Sequence, residues 1–137
     1  MTKEECDRFD FGSNPRDIGY EKIYLSRFQV LRMAFERAKT KKILEHPDFA
    51  GFVNENSWWL EDYALYMAVK NHFGGVCFME WDEDIRLRKK KAILEYTQML
   101  SDEIDFYKFQ QYLFKTQWTD LKNYANKNGI EIVGDIP

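Results

Sequence analysis

The sequence has little of what usually announces a function. Its 137 residues hold two cysteines, Cys6 and Cys77, and two histidines, His46 and His72. The cysteines form no C-x-x-C, and reduced thiols in a cytoplasmic protein are the plain reading. The histidines lie far apart with no cysteine or carboxylate spacing around them, which argues against a metal site. A net charge of -3 gives no general case for nucleic acid or membrane binding. No run approaches the roughly 18 to 20 apolar residues of a transmembrane helix. The opening "MTKEECDRFD" is charged and lacks the apolar stretch of a secretory signal. Gly74-Gly75 sits in no G-x-G-x-x-G or phosphate-loop pattern, and no serine or cysteine nucleophile motif stands out.

Aromatics are what the chain has in excess. They make up 17% of it, as four Trp, eight Tyr and eleven Phe, more than one small core usually needs. With 45% hydrophobic and 31% charged residues, the chain should fold as one ordinary domain at most. The densest stretch is "WWLEDYALYMAVKNHFGG", Trp58 to Gly75. Of the thirteen residues from Trp58 to Lys70, only Glu61, Asp62 and Lys70 are charged. The stretch is too short for a membrane and too apolar for a surface helix, so it should be covered on all sides.

Periodicity predicts a mainly helical chain. Residues 1–19 read as loop, with Gly12, Ser13, Asn14, Pro15 and Gly19. A helix is expected from about Glu21 to Lys39, where Ile23, Phe28, Leu31 and Phe35 fall near helical spacing with Arg27, Arg32 and Arg37 between them. Pro47 fits the first turn of a short helix. Ser57 is the expected N-cap of the next, Glu61 and Asp62 suit its dipole, and Gly74-Gly75 should stop it. "VCFMEWDEDIRLR" reads as irregular connector. Helical signal returns from Lys89 through Ala92, Ile93, Tyr96 and Leu100.

The longest helix is predicted over 102–127, with one stripe of Phe106, Phe109 and Leu113 and a second of Tyr107, Phe114, Trp118, Leu121 and Ala125. Trp58, Leu65, Phe109, Leu113 and Trp118 are expected in the core. After Gly129, "IEIVGDIP" alternates β-branched residues and reads as one strand near 130–134. A single strand leaves its ladder groups without partners, so the chain reads as a piece of something larger.

"NENSWWLEDYALYMAVKNHFGG", "WDEDIRLR", "EIDFYKFQQYLFKTQW" and "GIEIVGDIP", in this order and with similar gaps, resemble the 4-alpha-glucanotransferase family, also called amylomaltase or disproportionating enzyme. "LSRFQVLRMAF" after "DIGY" resembles the stretch before that family's helical insert. The resemblance covers nearly all of residues 2–137. Asp82, where a Pro often follows the Trp, Lys115, where a second Phe is usual, and Gly19 and Arg27 depart from the common pattern.

The resemblance implies a fold that is mainly α, with a helical insert and one α/β element of a (β/α)8 barrel of the alpha-amylase type, ending in a lone strand. Residues 1–100 would belong to the insert, and 101–137 would supply the long helix and strand of the catalytic barrel. The implied activity is cytoplasmic transfer of alpha-1,4-glucan units between maltooligosaccharides, by double displacement without a cofactor. The alternative is a non-catalytic truncated module for packing or glucan binding.

The family's nucleophile, acid/base and supporting Asp lie in motifs resembling Arg-Ile-Asp-His, Ala-Glu-Asp-Leu-Gly and Thr-His-Asp-Asn. None occurs here, so no catalytic residue is assigned and the isolated chain is expected to be inactive. Asp135 matches the Asp of the family's first conserved region, where it would shape the sugar site through hydrogen bonds. The plainer reading is an Asp in a turn. An alpha-1,4-glucan is the implied partner, nucleic acid and membrane are not, and exposed apolar surface invites self-association.

Other candidates have bland readings. Trp58-Trp59 could stack on glucose rings, but helical neighbours diverge by about 100°, which favours packing. Glu61-Asp62 could be an acid pair, but the same divergence favours a structural role. "RLRKKK" could bind phosphate, but it follows the acidic "DEDI" and reads as a solvated face.

Overall fold

The computed structural model describes residues 2–14 and 16–134. Every regular element among them is helical. In order they are α1 (Lys3–Cys6), α2 (Tyr20–Thr40), a 3-10 turn (Ile43–Glu45), α3 (Pro47–Glu55), α4 (Ser57–His72), a second 3-10 turn (Phe78–Glu80), α5 (Glu83–Arg86), α6 (Lys90–Met99) and α7 (Ser101–Lys127). They form two compact units, Met1–Ala50 and Gly51–Pro137.

The expected α/β element is corrected by this structure. Residues 130–134 form no strand, and no strand or sheet exists among the described residues. The β-branched Ile130, Ile132 and Val133 favour an extended chain, but a strand is defined by a ladder and no neighbouring strand is there among the described residues to complete one. All three side chains are exposed, Val133 at 89%. The lone strand and the barrel fragment therefore do not stand.

In the first unit, α1 opens with a reciprocal cap. Glu5 N–H donates to Thr2 Oγ1 at 3.3 Å, and Thr2 N–H donates to Glu5 Oε2 at 2.8 Å. Glu5 then takes a fork from Arg37 of α2, two hydrogen bonds of 2.6 Å. Ser26 donates its hydroxyl to the Asp10 carbonyl at 2.6 Å, which ties the loop to α2. Phe35 and Ala38 are buried. The arginines between the apolar positions of α2 lie over rings, with Arg27 5.1 Å from the Phe28 centroid and Arg32 5.8 Å from that of Phe35. Pro47 begins α3 as expected.

The core of the second unit is the packing of α4 on α7. Leu60, Ala64, Leu65, Ala68 and Val69 form one buried stripe at spacings of four, one, three and one. The small residues Ala64 and Ala68 allow the helices close approach. Opposite them come Ile104, Phe106, Tyr107 and Phe109. The cover expected all round α4 is absent: Trp58 is 83% exposed. It occupies the first turn, on the side away from Leu60. Ser57 is the first helical residue rather than the cap, and Asn56 precedes it with no side-chain capping bond. Asn56 instead accepts from Trp59 Nε1 at 3.1 Å. Gly74 and Gly75 end α4 with φ of +70° and +83°, and Gly75 N–H donates to the Lys70 carbonyl at 2.8 Å.

Along α7 the two predicted stripes part company. Leu65, Phe106 and Phe109 are buried and Leu113 is half-buried. From Phe114 onward the cover thins: Phe114, Leu121 and Tyr124 are exposed and Trp118 keeps 39% of its surface, while Ala125 is buried. The expectation of a buried Trp118 is corrected: α4 lies antiparallel along the earlier turns of α7, with Asn71 on Glu103 and Tyr63 on Gln111.

Candidate functional site

The carboxylates at the start of α4 are the natural place to look for chemistry. Glu61 and Asp62 line a cavity of about 250 Å³ with Asp105, Lys108, Thr97 and Ser101. As consecutive helical residues they leave the axis in different directions. Glu61 reaches α7, where Lys108 Nζ stands 2.7 Å away. Asp62 reaches the residues after α5, where Arg88 Nη2 donates to it at 2.6 Å. Glycosyl transfer with retention needs two carboxyl groups about 5 to 5.5 Å apart facing one sugar ring. Here the two face different cations, and the pair serves to fasten α4 to its neighbours. No group of three or more metal-ligating side chains is gathered among the described residues, His46 and His72 included.

The other sequence candidates fall on the surface. Trp58 and Trp59 do not make one platform: Trp58 is exposed, and Trp59 is half-buried against Tyr63 at a centroid distance of 6.0 Å. In "RLRKKK", Arg88 pairs with Asp62, Lys89 with Asp84 and Lys91 with Glu95. Much of its charge is thus neutralised locally. Asp135, the expected sugar contact, lies outside the described residues.

Sequence reasoning passed over the segment that builds the second cavity. "VCFMEWDEDIRLR" is not merely irregular, since it holds a 3-10 turn and α5. Phe78, Trp81 and Ile85 recur at spacings of three and four, and that was the missed signal. Trp81 is the hub. It lies 5.3 Å from Tyr66, 6.0 Å from Phe73 and 6.4 Å from Phe78, centroid to centroid. Tyr96 of α6 packs on Phe73 at 6.2 Å and donates its hydroxyl to Asp82 at 2.9 Å. Burial first, then that hydrogen bond, pushes the Tyr96 phenol up to about 12. Asp82, a departure from the family pattern, thus serves as an anchor for α6.

In the first unit, the Arg37 fork first and the Thr2 N–H second hold the Glu5 carboxyl down to about 2. Lys22, 2.6 Å from Asp10, is the main cause that lowers the Asp10 carboxyl, with the Gly12 N–H next. These are local braces.

A 4-alpha-glucanotransferase family model matches residues 2–137. The 4-alpha-glucanotransferase of Clostridium butyricum is 38% identical over 137 residues, 100% of this chain and 28% of that protein. That of Streptococcus pneumoniae serotype 4 is 42% identical over 138 residues, 100% of this chain and 27% of that protein. Among solved structures, an amylomaltase from Streptococcus agalactiae in complex with acarbose superposes with a TM-score of 0.85 at 34% identity, over 100% of this chain and 28% of that one. The chain therefore spans little more than a quarter of the length of these relatives.

Proposed function

This chain belongs to the 4-alpha-glucanotransferase family, and from that premise we propose that its 137 residues form a non-catalytic helical module of an enzyme moving alpha-1,4-glucan units between maltooligosaccharides. The observation that carries the reading is the separation of Glu61 and Asp62, each held by a different cation on a different element. Geometry of that kind fastens helices and does not attack a sugar. A glucan is the substrate class we assign to the whole enzyme, with Asp135 as its contact in this stretch. That assignment rests on the family motif.

Two smaller parts of the proposal rest on surface chemistry. The cytoplasm suits Cys6 and Cys77, which are both free thiols. The exposed ring face of α7, with Phe114 and Trp118 stacked at 6.4 Å and 8°, is the place where the isolated module would self-associate.

The test uses the full-length enzyme that carries these residues. Glu61→Gln, Asp62→Asn and Asp105→Asn should each leave kcat within about tenfold, whereas loss of a catalytic carboxylate costs several powers of ten. A folded single variant with turnover reduced by four or more powers of ten would place the chemistry inside this module and overturn the reading.

A further inference from the structure

The end of α7 is fastened by an asparagine that precedes a glycine. Of the seven asparagines in the sequence, only Asn128 does so. Asn128 is the residue after the helix, at φ -95° and ψ 13°, and its side-chain Nδ2 donates to the Tyr124 carbonyl at 2.8 Å. Gly129 follows at φ +73° and donates its N–H to the Asn126 carbonyl at 3.0 Å. Ile130 N–H closes the turn on the Ala125 carbonyl at 3.0 Å. The left-handed position suits glycine.

The same pairing is chemically labile. The backbone nitrogen of Gly129 is a nucleophile, and the Asn128 carboxamide carbon is the electrophile that a closing ring would bring to it. A side chain on the following residue crowds that approach, and glycine has none. A Cβ added at Gly129 would meet nothing within 4 Å, so the space around the turn is open. At ψ 13° the Gly129 nitrogen is turned away from the Asn128 side chain. Ring closure therefore requires the last turn of α7 to open. Little opposes that opening. Asn128, Gly129 and the residues through Val133 are exposed, and no strand holds the segment that follows. Helix ends of this kind open locally at small cost, and glycine follows a change of backbone conformation more freely than any other residue.

We propose that Asn128 is a modification site, losing its side-chain amide spontaneously through a cyclic imide with Gly129 and so unfastening the end of α7. The Gly129 nitrogen gives its proton to solvent base and bonds to Asn128 Cγ. The Cγ–Nδ2 bond breaks, and ammonia leaves with a proton from water. Water then opens the ring. Cleavage at Cγ gives aspartate, and cleavage at the former backbone carbonyl gives isoaspartate. Either product loses the donor to the Tyr124 carbonyl and sets a carboxylate at the negative end of the helix dipole. Isoaspartate also adds a methylene to the main chain, which displaces the Ile130 N–H from the Ala125 carbonyl. The proposal is independent of the glucan reading.

The test incubates the purified chain at mildly alkaline pH beside a synthetic peptide of residues 123–131. Both are followed by peptide mapping with mass spectrometry. In the chain, Asn128 should gain the mass of an amide exchanged for an acid and resolve into aspartate and isoaspartate forms. Asn123 and Asn126 of the same helix should keep their amides. Asn128→Gln, which would have to close a larger ring, should stay unmodified. Hydrogen exchange at residues 126–130 should quicken as Asn128 converts, and Asn128→Asp should reproduce the loss of protection without incubation. An intact Asn128 amide at the time the peptide has fully converted overturns the proposal. So does conversion of Asn123 or Asn126 at the same rate, or unchanged exchange at residues 126–130 in converted chain.

Discussion

Tyr96 and Glu5 show how single residues are held, and both give pH tests. The Tyr96 phenol is raised from 10.0 to about 12, so the fold favours its protonated form. Its contribution to stability is complete below pH 10 and is lost as pH rises through about 12. In an ultraviolet phenolate titration one tyrosine should lag the rest, and Tyr96→Phe should remove that lagging step. Glu5 is the opposite case, lowered from 4.5 to about 2 by the Arg37 fork. Its contribution is complete above pH 4.5 and is lost as pH falls toward 2. Arg37→Gln should therefore flatten the fall of thermal midpoint between those limits. A variant that tracks the parent throughout would show that the fork contributes nothing in solution.

At the scale of the element, burial decides the cost of a change. Leu60 is fully buried on the α4 face that meets α7, so Leu60→Ala should destabilise by about 2 to 5 kcal/mol. Trp118 keeps 39% of its surface exposed and stacks on Phe114 of its own helix, so Trp118→Ala should cost less than Leu60→Ala, about 1 kcal/mol. Denaturant titration of the two variants checks both, and equal losses would mean that the second half of α7 is covered after all. The sequence made the helices legible through periodicity, and α7 begins and ends within a residue of expectation. It did not show how far along α7 the cover extends. Phe114 and Trp118 obey the same spacing as Tyr107, but spacing marks a face and not what lies against it. The strand failed for a related reason: alternation in "IEIV" describes one chain, and a strand requires two. Trp81 was passed over because its spacing to Phe78 and Ile85 runs across a short turn and a four-residue helix, and neither element alone is long enough to show a period.

At the scale of the whole molecule, the candidate chemistry was legible mostly as an absence. The motifs that carry the family's carboxylates do not occur in these 137 residues, and the structure shows Glu61 and Asp62 facing different cations rather than one substrate. Family membership and the lack of a reacting pair among the described residues fit together if this stretch supplies scaffold to an enzyme whose reacting groups lie elsewhere. The most direct measurement is to incubate the purified chain with maltotriose and resolve the products by chromatography. The account predicts no glucose and no longer maltodextrins above a control without protein. Glucose appearing together with maltodextrins longer than maltotriose, in proportion to the chain added, would contradict it.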